Sequence, residues 1–127
     1  MALATLVIMV ALAQYLFFVG KTGQLRGKHG VKAPACTGNE NFERMFRIQQ
    51  NTMEQLVVFI PALLAFSHFV SPVWGPCIGL IFIIGRFVYF QGYLNDPAKR
   101  GPGMMMTFIT NAVLVLGASV GAILALI

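Results

Sequence analysis

Three polar side chains with the chemistry to bind a small charged molecule share one face of a predicted helix. Arg47, Asn51 and Glu54 are spaced i, i+4 and i+7, and the segment that carries them runs directly into an apolar stretch. A guanidinium, an amide and a carboxylate at the edge of a membrane are unfavourable unless they pair or bind a polar partner. The spacing therefore indicates a functional site.

A second polar face comes from Arg86, Tyr89 and Tyr93, which are spaced i, i+3 and i+7 near the end of another apolar segment. Two further arginines, Arg26 and Arg100, lie in polar connections on the same side. The cations outnumber the carboxylates, and the planar guanidinium fork binds carboxylates in bidentate fashion. These residue types predict a site for an anionic ligand with more than one carboxylate.

A purely structural network is the alternative explanation for these polar residues. Glu43 would then pair with Arg47, and Glu54 with Arg86, joining helices without any ligand. Polar contacts between membrane helices contribute only ~0.6 kcal/mol on average. Such a small stabilisation would not offset the cost of burying so many polar groups, so a ligand site is the favoured interpretation.

The elements that must position these residues are four apolar segments, at about 3–19, 56–69, 73–93 and 104–127. A membrane-spanning helix needs ~20 mostly apolar residues. The second segment reaches that length only by including Arg47 to Gln55, so its polar face must be buried in protein. The first segment lacks the basic start of a cleaved signal, and we expect a retained helix. The sequence predicts an all-α integral membrane protein, a four-transmembrane-helix bundle that forms one domain over residues 1–127.

Composition supports a membrane protein. Hydrophobic residues make up 57% of the chain, and the nine Lys/Arg and four Asp/Glu all lie between Lys21 and Arg100. A soluble domain would be about a quarter charged. Because the basic residues sit between apolar runs, we expect no nucleic-acid partner. No metal site is expected either, because the residues that could bind one are isolated from each other: Cys36, Cys77, His29 and His68.

The distribution of Lys and Arg predicts the orientation in the membrane. The first connection carries four cations (Lys21, Arg26, Lys28 and Lys32), the third carries Lys99 and Arg100, and the turn over 71–76 carries none. The positive-inside rule places the first and third loops in the cytosol and both termini on the opposite side. The compact loops and the lack of a retention signal favour a bacterial inner membrane over the endoplasmic reticulum.

Two motifs resemble those of the MAPEG family, the membrane-associated proteins in eicosanoid and glutathione metabolism. They are F-E-R-x-F-R-x-Q-x-N-x-x-E at 42–54 and R-x-x-Y-F-Q-G-Y at 86–93. The resemblance is to the branch that contains leukotriene C4 synthase, microsomal glutathione transferases 2 and 3, and 5-lipoxygenase-activating protein. It implies a homotrimer with glutathione bound between neighbouring subunits near the cytosolic face.

The resemblance also implies roles for individual residues. Glu54 would bind the α-amino group of glutathione and Arg47 one of its carboxylates, with Gln49 orienting Arg47. The other implied glutathione contacts are Asn51, Tyr89 and Tyr93. Catalytic roles fall to two arginines: Arg100 would stabilise the thiolate, and Arg26 would act as an acid or electrostatic stabiliser.

The implied activity is transfer of the glutathione thiolate to lipophilic electrophiles, with reduction of lipid hydroperoxides as a related reaction. Gln55 stands where synthases of this branch often have Tyr, and Pro61 comes later than their helix-two proline. A non-enzymatic lipid-binding scaffold, as 5-lipoxygenase-activating protein is, remains the alternative. The presence of Arg26, Arg47 and Arg100 favours an enzyme. No half-helix or ring of pore-lining charges indicates a transporter or channel.

Overall fold

The computed structural model describes all residues from Met1 to Ile127. Its α-helices are α1 (Ala2–Lys28), α2 (Glu40–Phe69), α3 (Trp74–Asn95) and α4 (Gly101–Leu126), and a short 3-10 helix at Pro97–Arg100 joins α3 to α4. All four α-helices are long and apolar enough to cross a membrane. The predicted all-helical architecture with four membrane-spanning segments is confirmed.

The helices form a bundle in which α4 packs along α2 and α3, while α1 packs against α2 and α3. At its centre the rings of Phe59 and Phe82 stack with centroids 3.9 Å apart. Near the polar end α3 and α4 approach so closely that a Cβ atom at Gly103 would overlap the backbone of Tyr89. Glycine at this position allows the start of α4 to lie against the tyrosine face of α3.

Helix α1 is longer than the apolar pattern predicts. The pattern ends it near Val19, with Gly20 to Gly23 loosening the chain, but the helix continues to Lys28. Thr22 is buried, and its hydroxyl donates to the Met45 carbonyl oxygen of α2 at 3.4 Å, so packing between the helices offsets the poor helix propensity of glycine. Three of the four cations assigned to the first loop therefore lie on α1, and only Lys32 lies in the connection over 29–39.

The polar half of α2 is helical, as the required span length predicts. Asn39 caps its start, with Oδ1 accepting a hydrogen bond from the Phe42 amide at 3.1 Å. Arg44, one turn further, forms an ion pair with Glu40 and donates from Nη1 to the Leu94 carbonyl oxygen at 3.1 Å. Arg44 thus donates a hydrogen bond to a carbonyl oxygen at the C-terminal end of α3, and it fixes that end next to the start of α2.

Candidate functional site

Arg47 and Glu54 form an ion pair on the exposed face of α2. Nη1 of Arg47 lies 3.5 Å from Oε1 of Glu54, and the two side chains are 51% and 53% exposed. Exposed pairs of this kind contribute only ~0–1 kcal/mol. The pair can therefore open at little cost when a ligand offers each side chain a charge of the opposite sign.

Arg86 and Asn51 form a second, internal contact. Arg86 is completely buried, and its Nη1 donates to Asn51 Oδ1 at 2.8 Å. Its guanidinium lies 4.3 Å from the centre of the Tyr89 ring, a cation–π contact. Nε and Nη2 of Arg86 have no hydrogen-bond partner in the chain. Asn51, predicted as a ligand contact, therefore has its carbonyl oxygen occupied by Arg86, and only its Nδ2 remains free for a ligand.

The two ion pairs of the purely structural alternative do not form. Glu54 pairs with Arg47 rather than with Arg86. The Glu43 carboxylate instead accepts a hydrogen bond from the Gly38 amide at 3.3 Å. No carboxylate contacts Arg86, so the buried cation is held by an amide and an aromatic face alone.

Tyr89 and Tyr93 connect the internal contact to the surface. Their rings stack with centroids 5.5 Å apart; Tyr89 is 2% exposed, and Tyr93 is half-buried. Gly103, three positions after Arg100, packs against the backbone of Tyr89. The structure thus brings polar groups from α2, α3 and the start of α4 to one place.

The two predicted catalytic arginines have different surroundings. Arg100 is exposed at the N-terminus of α4, and its guanidinium makes no hydrogen bond within the chain. Arg26 donates from Nη1 to the Ala35 carbonyl oxygen at 2.8 Å and lies 4.6 Å from the centre of the Phe42 ring. Arg26 therefore holds the first loop against α2, whereas Arg100 is free to meet a ligand.

Gln49 lies on a different face of α2 from Arg47. Two positions along a helix correspond to a rotation of about 200°, and no hydrogen bond joins the two side chains. Gln49 follows Phe42 by seven positions, so it shares the face against which Arg26 packs. The predicted site residues thus divide into one group around Arg47 and another around Arg26.

Residues 3–120 match the model of the MAPEG family. The chain belongs to this family. Together with the four long apolar helices, membership makes it an integral, multi-pass membrane protein.

Several curated proteins resemble this MAPEG chain along most of its length. Microsomal glutathione S-transferase 2 of Homo sapiens is 37% identical over 108 residues, which are 85% of this chain and 74% of that protein. Leukotriene C4 synthase of Mus musculus is 32% identical over 98 residues, 77% of this chain and 65% of that protein. An uncharacterized protein of Synechocystis is 39% identical over 113 residues, 89% of this chain and 82% of that protein.

Among the polar contacts of this MAPEG chain that sequence reasoning missed, one joins α4 to α2. Asn111 of α4 is buried, and its Nδ2 donates to Gln55 Oε1 at 3.1 Å. The signal was present in the sequence, because Asn111 is a single amide in an otherwise apolar segment and follows Thr107 and Thr110 on nearby faces. Its hydrogen-bond partner could not be predicted from the sequence, because Gln55 lies far away along the chain.

Proposed function

We propose that the protein is a glutathione-dependent membrane transferase that joins the glutathione thiolate to lipophilic electrophiles. The observation that carries this proposal is the exposed Arg47–Glu54 pair, which offers one positive and one negative group on a single face. Two relatives, one named a microsomal glutathione S-transferase and one leukotriene C4 synthase, support the same reaction class.

Glutathione carries an α-amino group and two carboxylates, which match this pair. In the proposed complex Glu54 binds the amino group and Arg47 a carboxylate, so the ligand replaces the weak internal ion pair with two charge-assisted contacts. Asn51 contributes its free Nδ2, while Tyr89 and Tyr93 border the ligand on α3. The proposed contact set is thus centred on α2 and completed by α3.

A homotrimer explains why the site residues lie on two faces of one subunit. A ligand bound to Arg47 and Glu54 cannot also reach Gln49 and Arg26 on the other side of the same helix. A neighbouring subunit can present that second face, so that each site contains Arg47 from one copy and Arg26 from the next. The single domain over residues 1–127 would then be one third of the working unit.

Arg100 is the proposed activator of the thiol. A free thiol has a pKa of ~8.5, so only a few per cent is thiolate at neutral pH. An unpaired guanidinium at the start of a helix favours the anion, because both the side chain and the helix N-terminus are positive. Arg26, already engaged with the first loop, is the proposed second arginine and stabilises charge at the leaving group.

Two reactions use the same thiolate. In conjugation, the sulfur forms a bond to an electrophilic carbon of the acceptor, and the leaving group departs with the bonding electrons or, for a ring, remains attached. In peroxide reduction, one hydroperoxide and two molecules of glutathione give an alcohol, water and glutathione disulfide. The acceptor enters from the lipid, which is why we place this function in a membrane.

An ultraviolet difference titration of the detergent-purified protein with glutathione tests the proposal. Thiolate absorbance that saturates at a fixed ratio of ligand to subunit near neutral pH is the expected result. Absence of that absorbance in an intact oligomer would leave a lipid-binding scaffold as the function. Labelling of cysteines or added tags from each side of the membrane would test the proposed cytosolic position of the first and third connections.

A further inference from the structure

Two polar side chains inside the helical bundle have fewer hydrogen-bond partners than their atoms require. Gln14 of α1 is 5% exposed, and Arg86 of α3 is completely buried. Oε1 of Gln14, and both Nε and Nη2 of Arg86, have no hydrogen-bond partner in the chain. Hydrocarbon cannot satisfy such groups, and an unpaired polar group inside a membrane is strongly unfavourable. Each side chain therefore needs a further polar partner.

The packing of α1 against α3 places these two side chains at one level. A Cβ atom at Gly79 of α3 would lie 3.0 Å from Cγ1 of Val7 on α1. About two helical turns further along each helix come Gln14 and Arg86, on the same faces as those two residues. A hydrogen bond from Gln14 Nε2 to the Ile83 carbonyl oxygen, at 3.0 Å, keeps the helices in this register. The Gln14 amide and the Arg86 guanidinium therefore lie at the same level between α1 and α3.

The hydrogen bond to Ile83 also fixes which atom of the Gln14 amide is left over. Reversing the amide would set Oε1 against the Ile83 carbonyl oxygen, and two acceptors cannot form a hydrogen bond. Gln14 therefore offers an acceptor. Arg86 offers donors, because Nη1 alone is used, by Asn51 Oδ1 at 2.8 Å. The leftover groups are complementary, yet no hydrogen bond joins them to each other.

A water molecule satisfies all three leftover groups at once. Its oxygen accepts from Nε and Nη2 of Arg86, and one of its protons is donated to Gln14 Oε1. A chloride ion also accepts from a guanidinium, but it has no proton for Oε1 and would place a negative charge beside that oxygen. We propose that Gln14 and Arg86 hold an internal water molecule inside the bundle. This water joins α1 to the hydrogen bond between Arg86 and Asn51.

The water gives Gln14 a positioning role for the proposed glutathione-binding face of α2. Asn51 lies on that face, and Arg86 holds it through its oxygen. Gln14 and the water keep the guanidinium in the place where it binds this oxygen, so that Nδ2 of Asn51 stays turned to the ligand. This role rests on the proposed function, because it requires glutathione at Asn51. The water site itself depends only on groups inside the bundle.

Solid-state NMR of the protein in lipid bilayers, isotope-labelled in arginine and phenylalanine, tests the water directly. Magnetisation is transferred from water to the arginine Nε–H groups in the absence of glutathione, and the Arg86 signal is identified by its loss in Arg86→Lys. We expect transfer to the Arg86 Nε–H group. At the same mixing time we expect none to the backbone amide of Phe82, which is completely buried about one turn earlier on α3.

A pair of glutamine variants separates the water site from general effects of substitution in α1. Gln14→Leu removes the acceptor, whereas Gln24→Leu makes the same change at an exposed position of that helix. Gln14→Leu should abolish the transfer to Arg86, and Gln24→Leu should not. Gln14→Leu should also weaken glutathione binding about three- to tenfold, the scale of one hydrogen bond. The pKa of the bound thiol should stay unchanged, because Arg100 is intact.

Three NMR results would overturn the inference. Absence of transfer to Arg86 in the wild-type protein would exclude the water, and unchanged transfer in Gln14→Leu would exclude Gln14 as one of its ligands. A shift of the Arg86 signal when gluconate replaces chloride, without transfer from water, would identify an anion site instead.

Calorimetry distinguishes failure of the positioning role from failure of the proposed function. Wild-type glutathione affinity in Gln14→Leu, with the transfer from water lost, would exclude the positioning role. Absence of glutathione binding in the wild-type protein, with normal transfer from water to Arg86, would contradict the proposed function and support the water site.

Discussion

Two arginines on neighbouring helices have opposite environments, although both belong to the same pair of motifs. Arg86 is fully buried, contacts neutral groups only, and leaves two of its nitrogen atoms without partners. Arg47 is half exposed and faces a carboxylate at 3.5 Å. The buried arginine is fixed by the fold, whereas the exposed arginine can exchange its partner for a ligand.

Asn51 lies between the buried surroundings of Arg86 and the exposed face that carries Arg47. It shares a face of α2 with Arg47 and Glu54, yet its oxygen is bound to Arg86 at 2.8 Å. A motif that looks like one ligand-binding set therefore combines two functions. Arg47 and Glu54 are available for binding, while Asn51 uses its oxygen to join α2 to Arg86 of α3, which packs on Tyr89, and has only its Nδ2 for a ligand.

The largest expected effect is on glutathione affinity when either exposed charge is removed. Arg47→Ala and Glu54→Ala each leave one charged group of the ligand without its partner, so affinity should fall roughly ten- to hundredfold. Isothermal titration calorimetry in detergent measures this directly. Lys28→Ala, which removes an exposed cation from the end of α1, is the matched control and should bind normally. Wild-type affinity in both site variants would place the ligand elsewhere.

A double-mutant cycle on Asn51 and Arg86 tests the buried side of the comparison. We expect Asn51→Ala and Arg86→Met to show a coupling of about 1.5 kcal/mol in unfolding, near the upper limit for polar contacts between membrane helices. The reason is that each single change leaves a buried polar partner unsatisfied, whereas the double change removes both groups. Additive effects on thermal unfolding would mean that the hydrogen bond does not stabilise the fold.

Arg100→Ala should change the ionisation of bound glutathione more than its affinity. The guanidinium stabilises the thiolate, so its removal should raise the pKa of the bound thiol, by about one unit if the loss is ~1.4 kcal/mol. The thiolate fraction at neutral pH would then fall, by at most about tenfold, and recover as the pH rises above the new pKa. Ultraviolet titration against pH measures this shift. Lys99→Ala removes the same charge one residue away, and an equal shift in that variant would exclude a specific role for Arg100.

The fold was more predictable than the site because helix existence depends on local apolar content. The lengths of the apolar segments predict all four membrane-spanning helices. They do not predict the end of α1, because Gly20 and Gly23 resemble residues that end a helix. The contact between helices at this point is made by the buried Thr22, whose hydroxyl donates to the Met45 carbonyl oxygen of α2 at 3.4 Å. Sequence spacing alone contains no information on that contact.

Helical periodicity places Arg47 and Glu54 on one face but does not choose their partners. The choice between Arg47 and Arg86 as the partner of Glu54 depends on how α2 and α3 rotate against each other. The same limit applies to Asn111 and Gln55, which are 56 positions apart. Periodicity therefore predicted which residues share a face of a helix, but not which of them form contacts: Glu43 and Arg47 of α2 do not pair, whereas Arg47 and Glu54 do.

The smallest expected effect is the contribution of the Arg47–Glu54 pair to stability. Both side chains are half exposed, so a double-mutant cycle with Arg47→Ala and Glu54→Ala should give a coupling of only ~0.5 kcal/mol in the absence of ligand. Added salt should reduce it further, because dissolved ions screen exposed charges. Thermal unfolding at low and high ionic strength provides the measurement. A coupling as large as that of Asn51 and Arg86 would mean that the pair stabilises the fold. The contrast between the exposed Arg47 and the buried Arg86 would then disappear.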